Sequence, residues 1–230
     1  MNARAIARRP HPALADLPKM RLSAENTAKF GAIWDTVHYD GTNGHDELPI
    51  FRVPQGGIFT GSTIKTKEHT NLTAAGQLEA GVSIFVTGIQ VIFMPGVSVG
   101  RLGANAKFDR SNDLQAFAER GILDLQIGQD QAVFDGPLGL FPGETRLIGD
   151  GNAFADTFTA DDNKAGVLEL TTLAGKTYTD FEPFPIIGGQ QINGALRWYG
   201  SKVPMPSGQN GKVLVRLTGS VYRIRNATNV

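Results

Sequence analysis

The side chains that could do chemistry in this sequence are few, and the histidines are the first to consider. All four, His11, His38, His45 and His69, lie within the first 70 residues. No two of them are separated by a single residue, the His-x-His spacing that places two imidazole rings on one face of a β-strand. The polar loop over residues 38–47, "HYDGTNGHDE", does not follow the ligand spacing of a calcium loop. We therefore interpret it as a solvated turn and predict no metal-ligating residue.

Carboxylates on predicted strands are the other candidates for catalysis: Asp124, Asp135, Glu169, Asp180 and Glu182. A glycosidase needs two carboxyl groups at a defined separation across its substrate, and nothing in the sequence places any two of these at that separation. Charged side chains on outward strand faces account for them more simply. The sequence also has no nucleophile elbow and no phosphate-binding loop. We predict a protein that is not an enzyme and that has no catalytic residue and no cofactor.

The composition favours a β-rich fold with a substantial core. The 230 residues include 28 glycines and 12 prolines, and 41% are hydrophobic, which suits one large β domain or two small ones. The 22 basic and 22 acidic residues cancel, which disfavours a globally basic nucleic-acid-binding protein. The chain has no cysteine, so disulfides and thiolate metal sites are excluded. No apolar run reaches the roughly 18 residues of a membrane-spanning helix.

Residues 1–21 are predicted to form a basic N-terminal arm, in which prolines oppose helix and sheet. Its basic residues are Arg4, Arg8, Arg9, Lys19 and Arg21, and they face a single acid, Asp16. Two interpretations stay open. The arm is either a disordered terminus or a tail that docks on a neighbouring subunit, an anionic membrane surface or packaged nucleic acid.

Residues 22–81 are predicted to form an N-terminal extension with a short helix and short strands. The helix is predicted over residues 22–37, where the apolar side would carry Leu22, Phe30, Ile33, Trp34 and Val37. Strands are predicted at 48–53 and 58–66, divided by Gly56 and Gly57.

Residues 82–230 are predicted to form the main domain, a series of strands separated by turn-forming residues with one short helix over 111–120. Apolar and polar side chains alternate over 122–127 and 213–224, as in an antiparallel sheet that buries one face. About eight strands follow residue 82, the number in a jelly roll. We predict an all-β, antiparallel jelly-roll sandwich, a single jelly roll with an N-terminal extension. A compact double jelly roll is the alternative.

The stretch "VSIFVTGIQVIFMPG" over residues 82–96 predicts a long strand that is apolar on both faces. Val82, Ile84 and Val86 fall on one face, and the other carries Phe85, Ile89, Val91 and Phe93. A bulge or bend at Gly88 would turn the second half of the strand relative to the first. We expect the remaining apolar face to be covered by the N-terminal segment, a neighbouring subunit or both. Phe85, Ile89, Val91 and Phe93 are therefore our candidates for core and assembly contacts.

Three segments carry a resemblance to a known family. They are "AAGQLEAGVSIFVTGIQVIFMPG", "GILDLQIGQDQAVFDGPLGLFP" and "INGALRWYGSKVPMPSGQNGKVLVRLTGSVYRI". Over roughly residues 70–225, strand pattern and turn placement resemble the jelly-roll major capsid proteins of small tailless bacteriophages, including membrane-containing ones. The resemblance implies a coat protein, made in the host cytoplasm and located in the virion, that self-assembles into an icosahedral shell.

The resemblance also implies partners. They are copies of the chain itself in trimeric or hexameric capsomers, minor capsid proteins, and an internal membrane or the packaged genome. On this reading the basic arm from Arg4 to Arg21 lies on the inner face of the shell. The alternative function is a carbohydrate- or receptor-binding β-sandwich module, such as a viral spike or a lectin-like domain.

Overall fold

A computed structural model describes residues 29–96, 109–128, 131–141, 143–145, 171–175 and 177–223. The first half of the described chain contains β1 (Lys29–Tyr39), β2 (Glu47–Ile50), β3 (Ile58–Thr60), β4 (Thr63–Ile64), β5 (Val82–Met94), the helix α1 (Asp109–Glu119) and β6 (Gly121–Ile127). The second half contains β7 (Gln131–Pro137), a short 3-10 helix (Leu138–Leu140), β8 (Gly143–Thr145), β9 (Thr171–Gly175), β10 (Phe184–Ile186), β11 (Ile192–Trp198) and β12 (Gly211–Arg223).

The long strands form two four-stranded antiparallel sheets. Sheet I has the order β1-β12-β5-β10, and sheet II has the order β2-β11-β6-β7. The remaining strands form two small hairpins, β3-β4 and β8-β9. The prediction of an all-β fold built from antiparallel sheets is confirmed.

The inward faces of the two sheets supply one hydrophobic core. Buried and half-buried residues alternate strictly along β6, from Gly121 to Ile127, as the sequence pattern predicts. At one end of the core four aromatic rings meet, one each from β1, β5, α1 and β11: Tyr39, Phe93, Phe117 and Trp198. The phenyl rings of Phe93 and Phe117 stack with their centroids 4.5 Å apart, which attaches α1 to the core.

A β-bulge in β5 explains why the sequence of this strand places apolar residues on both predicted faces. Opposite β12, Thr218 pairs with Gly88 but Gly219 pairs with Val86, so β5 carries one extra residue, Thr87. The extra residue reverses the side-chain alternation. Ile84 and Val86 before the bulge, and Ile89, Val91 and Phe93 after it, are therefore all buried in the same core. The predicted bulge is confirmed, and the two apolar halves need no separate covers.

The helix predicted within residues 22–37 is wrong over its described part, since β1 begins at Lys29. Ile33, Asp35, Val37 and Tyr39 alternate along β1 and are all buried. The charge of Asp35 interrupted the apolar alternation that would have indicated a strand, and the remaining apolar spacing also fits a helix. By contrast, the helix predicted over 111–120 is confirmed as α1.

Strands of the predicted N-terminal extension belong to the two sheets. β1 pairs with β12 along eleven residues, from Lys29 opposite Val221 to Tyr39 opposite Gly211. β2 pairs with β11, and Leu48 and Ile50 of β2 are buried in the core. The described part of residues 22–81 therefore supplies one strand to each sheet.

The outer edge of β1 is covered by the segment around residues 69–71. The Thr36 N–H donates to the His69 carbonyl oxygen over 2.6 Å. The side chain of Asn71 accepts from the Trp34 N–H over 3.0 Å and donates to the Ala32 carbonyl oxygen over 2.8 Å. Backbone groups at this edge that would otherwise be open to another strand are thus satisfied within the chain.

Candidate assembly surfaces

The four β5 residues predicted for packing divide into two groups. Ile89, Val91 and Phe93 have exposed fractions of 0%, 3% and 4%, so one chain already buries them. Phe85 points to the opposite side and is half-buried. Its neighbours in the flanking strands are Ser220 of β12 and Pro185 of β10. Of the four, Phe85 is therefore the residue that can contact a second molecule.

The outer face of sheet I carries a stripe of half-buried apolar side chains. Cross-strand pairing places Leu214 beside Ile92, and Phe85 beside Ser220, on this face. The outer stripe, as we name it, consists of Trp34, Phe85, Ile92, Leu214 and Tyr222. Arg216 is exposed among these residues, opposite Trp34.

The outer face of sheet II is charged instead. The Arg197 Nη1 lies 2.6 Å from the Asp124 Oδ2, and its Nε lies 3.5 Å from the Glu47 Oε2. Asp135 is the cross-strand neighbour of Asp124. Two of the five carboxylates considered as catalytic candidates, Asp124 and Asp135, thus lie on an outward face, and Asp124 forms an ion pair with Arg197.

The structure does not place the other three candidate carboxylates on this face. Asp180 and Glu182 are exposed beside β10, and Glu169 lies outside the described residues. The basic arm, with Arg4, Arg8, Arg9, Lys19 and Arg21, also lies outside the described residues.

The polar loop after β1 is a hydrogen-bonded turn centred on Asp40. Its Oδ1 accepts from the N–H groups of Thr42 and Asn43, each over 3.0 Å. The Asn43 side chain donates to the Asp40 Oδ2 over 2.7 Å, and this bond is the main reason that the pKa of Asp40 is lowered. The His45 Nε2 accepts from the Asp40 N–H over 3.0 Å, and burial lowers the pKa of its ring. In the described part of the chain, no group of three or more His, Asp or Glu side chains could hold a metal ion.

The β3-β4 hairpin presents two isoleucines to solvent. Ile58 is 69% exposed and Ile64 is 55% exposed, and they face each other across the two strands. Tyr199, which follows β11, is also exposed, whereas Trp198 before it is buried in the core. Ile58 and Ile64 are cross-strand neighbours, and neighbouring exposed apolar side chains of this size are typical of a contact surface.

Beneath this hairpin lies a buried ion pair that sequence reasoning missed. The Lys65 Nζ lies 2.5 Å from the Asp35 Oδ1, and the side chains are 2% and 0% exposed. Burial is the largest influence on Asp35 and raises its pKa, against the opposing charge of Lys65. The two residues are 30 positions apart and follow no known spacing, so the sequence holds no signal that pairs them.

None of the helices in the described residues is long and apolar enough to cross a membrane. Comparisons of the chain with protein-family models, with curated proteins and with solved structures found no match.

Proposed function

We propose that this chain is the major coat subunit of an icosahedral viral shell, and that its two sheets form a single jelly roll. The order of the strands is the observation that carries the proposal. Along the chain, the strands of the two sheets are β1, β2, β5, β6, β7, β10, β11 and β12. When these eight strands are numbered from one to eight along the chain, the order of strands across sheet I is first, eighth, third, sixth. The order across sheet II is second, seventh, fourth, fifth.

This order is the one that a rolled ribbon produces. A chain folded back on itself as one long antiparallel ribbon pairs its first strand with its eighth, second with seventh, third with sixth and fourth with fifth. All four pairs are present. Rolling the ribbon brings the eighth strand beside the third and the seventh beside the fourth, which are the pairs β12-β5 and β11-β6. An eight-strand jelly roll of this kind occurs in viral capsid proteins and also in lectins and other proteins.

Apolar surface at two places supports contact between copies of the chain. The outer stripe lies on sheet I, and the exposed Ile58 and Ile64 lie on the β3-β4 hairpin. Burying such patches against copies of itself gives a symmetric assembly, and stable obligate interfaces bury about 2,000 Å² or more. In the shell the basic arm contacts the packaged genome or an inner membrane through its positive charge.

The direct test is the assembly state of the purified chain. We expect trimers, hexamers or closed shells in light scattering and electron microscopy over a concentration series. Exchanging Ile58 and Ile64 for threonine keeps a β-branched residue on each strand and should shift assembly to higher concentration. The same exchange at the buried Ile89 is the control for damage to the fold. A monodisperse monomer at all concentrations would contradict the proposal.

One observation favours a second candidate, a carbohydrate- or receptor-binding sandwich module. Tyr199 is 68% exposed at the end of β11, where an aromatic ring can stack on a sugar face. A small discrete oligomer that binds glycans, and loses binding in Tyr199→Ala, would favour this candidate over the coat subunit.

A further inference from the structure

The contact between β1 and the segment after β4 brings an amine and a carboxyl group together away from water. The Lys65 Nζ lies 2.5 Å from the Asp35 Oδ1, and both side chains are buried. Desolvation makes a charged pair at such a position costly, and the Coulomb attraction need not repay the cost. A neutral amine beside a neutral acid avoids that cost, and these are the reactants of an amide condensation.

We propose that Asp35 and Lys65 form an intramolecular isopeptide bond, joining the Lys65 Nζ to the Asp35 Cγ. The bond would tie β1 to the base of the β3-β4 hairpin. This inference concerns a covalent modification inside one chain, and it does not depend on the proposed coat function.

A backbone N–H is placed to help the carboxyl group react. The Phe51 N–H donates to the Asp35 Oδ2 over 2.7 Å, in a buried position. Phe51 holds a φ of 62°, a left-handed conformation that a bulky residue adopts only when its surroundings impose it. The strained backbone points a donor at the oxygen that would carry negative charge when the amine adds to Cγ.

The protons balance without any further reactant. The reaction begins from the neutral pair, in which one proton of the Lys65 ammonium has moved to the Asp35 carboxylate; burial of both side chains disfavours the charged pair. The neutral Nζ then attacks Cγ, a C–N bond forms and the C–Oδ1 bond breaks. Nζ keeps one of its three protons, and the other two leave with Oδ1 as water. The fold supplies proximity, since one face of β1 and the hairpin hold the two groups in contact.

The test is the mass of the intact full chain under denaturing conditions. We expect the wild-type protein to be lighter than its sequence mass by one water molecule, after N-terminal processing is accounted for. Trypsin should not cleave after Lys65, and a branched peptide should contain residues 35 and 65. A folded wild-type chain with its full sequence mass and normal cleavage after Lys65 would overturn the proposal and leave an ion pair.

Two substitutions identify the linked atoms. Lys65→Arg keeps the positive charge but removes the amine, so this variant should have its full sequence mass. Asp35→Asn should lose one ammonia molecule in place of water, because the amide nitrogen becomes the leaving group. Lys67→Arg, at an exposed lysine of the same segment, is the matched control and should keep the loss of water. The same water loss in Lys65→Arg would also overturn the proposal.

Discussion

Thr218 of β12 lies opposite Gly88 of β5, and its Oγ1 donates a hydrogen bond to the Gly88 carbonyl oxygen over 3.2 Å. This contact sits at the bulge, where β5 gains one residue over its partner. A Cβ atom added at Gly88 would come within 2.5 Å of the Thr218 Oγ1 and 2.7 Å of the Thr177 Cγ2. Glycine at this point therefore lets the strand reverse its alternation and keep both apolar halves in the core.

Gly88→Ala should lower the free energy of unfolding by about 1–3 kcal/mol, because the added methyl group overpacks the bulge. Urea denaturation of the purified chain measures the change. Gly139→Ala is the matched control, since a Cβ there meets no atom within 4 Å and should leave stability nearly unchanged. Equal effects of the two substitutions would contradict the role of Gly88.

Phe93→Ala and Phe85→Ala test separately the contribution of the core to stability and the contribution of the outer stripe to assembly. Phe93 is buried and stacked on Phe117, so its truncation should cost about 3–5 kcal/mol of unfolding free energy. Phe85 is half-buried on the outer stripe, so its truncation should cost less stability and weaken assembly. Denaturation and light scattering of both variants check this, and assembly that is insensitive to Phe85 would exclude the outer stripe as a contact.

Asp113 of α1 fixes the loop before β12 through Ser207. The carboxylate is buried and accepts from the Ser207 N–H over 2.9 Å and from its Oγ over 2.6 Å. Asp113→Ala should cost about 1–3 kcal/mol, because two donors lose a buried acceptor. Asp113→Asn keeps one acceptor oxygen and should cost less. Thermal unfolding of the pair measures the difference, and equal losses would mean that side-chain volume alone matters.

His45 should make stability depend on pH. Burial lowers its pKa, so the folded state favours the neutral ring, whose Nε2 accepts from the Asp40 N–H. The stabilising contribution is present above the ordinary histidine pKa of about 6.5 and is lost as pH falls through the lower folded pKa. Urea midpoints should therefore fall more between about pH 7 and about pH 5 in the wild type than in His45→Gln. Parallel curves would contradict this role.

Deleting residues 2–19 should leave the two sheets folded but impair packaging or attachment to an inner layer, because most of the basic arm is lost. A full-length variant with glutamine at Arg4, Arg8, Arg9 and Lys19 is the control that removes charge but keeps length. Circular dichroism checks the fold, and electron microscopy with nucleic-acid content checks the particles. Truncated chains that assemble and package normally would show that the arm is dispensable.

Sequence patterns predicted much of sheet I and sheet II because long strands carry a strong period-2 signal. The long strand predicted within residues 82–96 corresponds to β5, and the alternation over 122–127 and 213–224 corresponds to β6 and β12. The bulge was predictable from Gly88, since it stands where the apolar register slips. The sequence did not show how the bulge would divide the apolar residues: both apolar halves of β5 enter one core, and the apolar residues left on the outer face include Phe85 and Ile92.

The wrong prediction of a helix in place of β1 has a different cause. Its inward positions include Asp35, and a buried polar side chain fits there because Lys65, Phe51 and Thr70 surround the carboxyl group. Those partners come from later in the chain, so local sequence could not indicate them. The same reason hid the candidate cross-link, which depends on a contact made only after folding.

The covered margin of β1 also bears on how neighbours could meet. Residues 69–71 already bond to backbone groups of Ala32, Trp34 and Thr36, so an incoming strand cannot pair with this stretch of β1. Each molecule keeps its backbone bonding to itself here, and any joint with a neighbour must be made by side chains. Contacts made by side chains alone can form and separate without breaking a backbone hydrogen bond of either molecule.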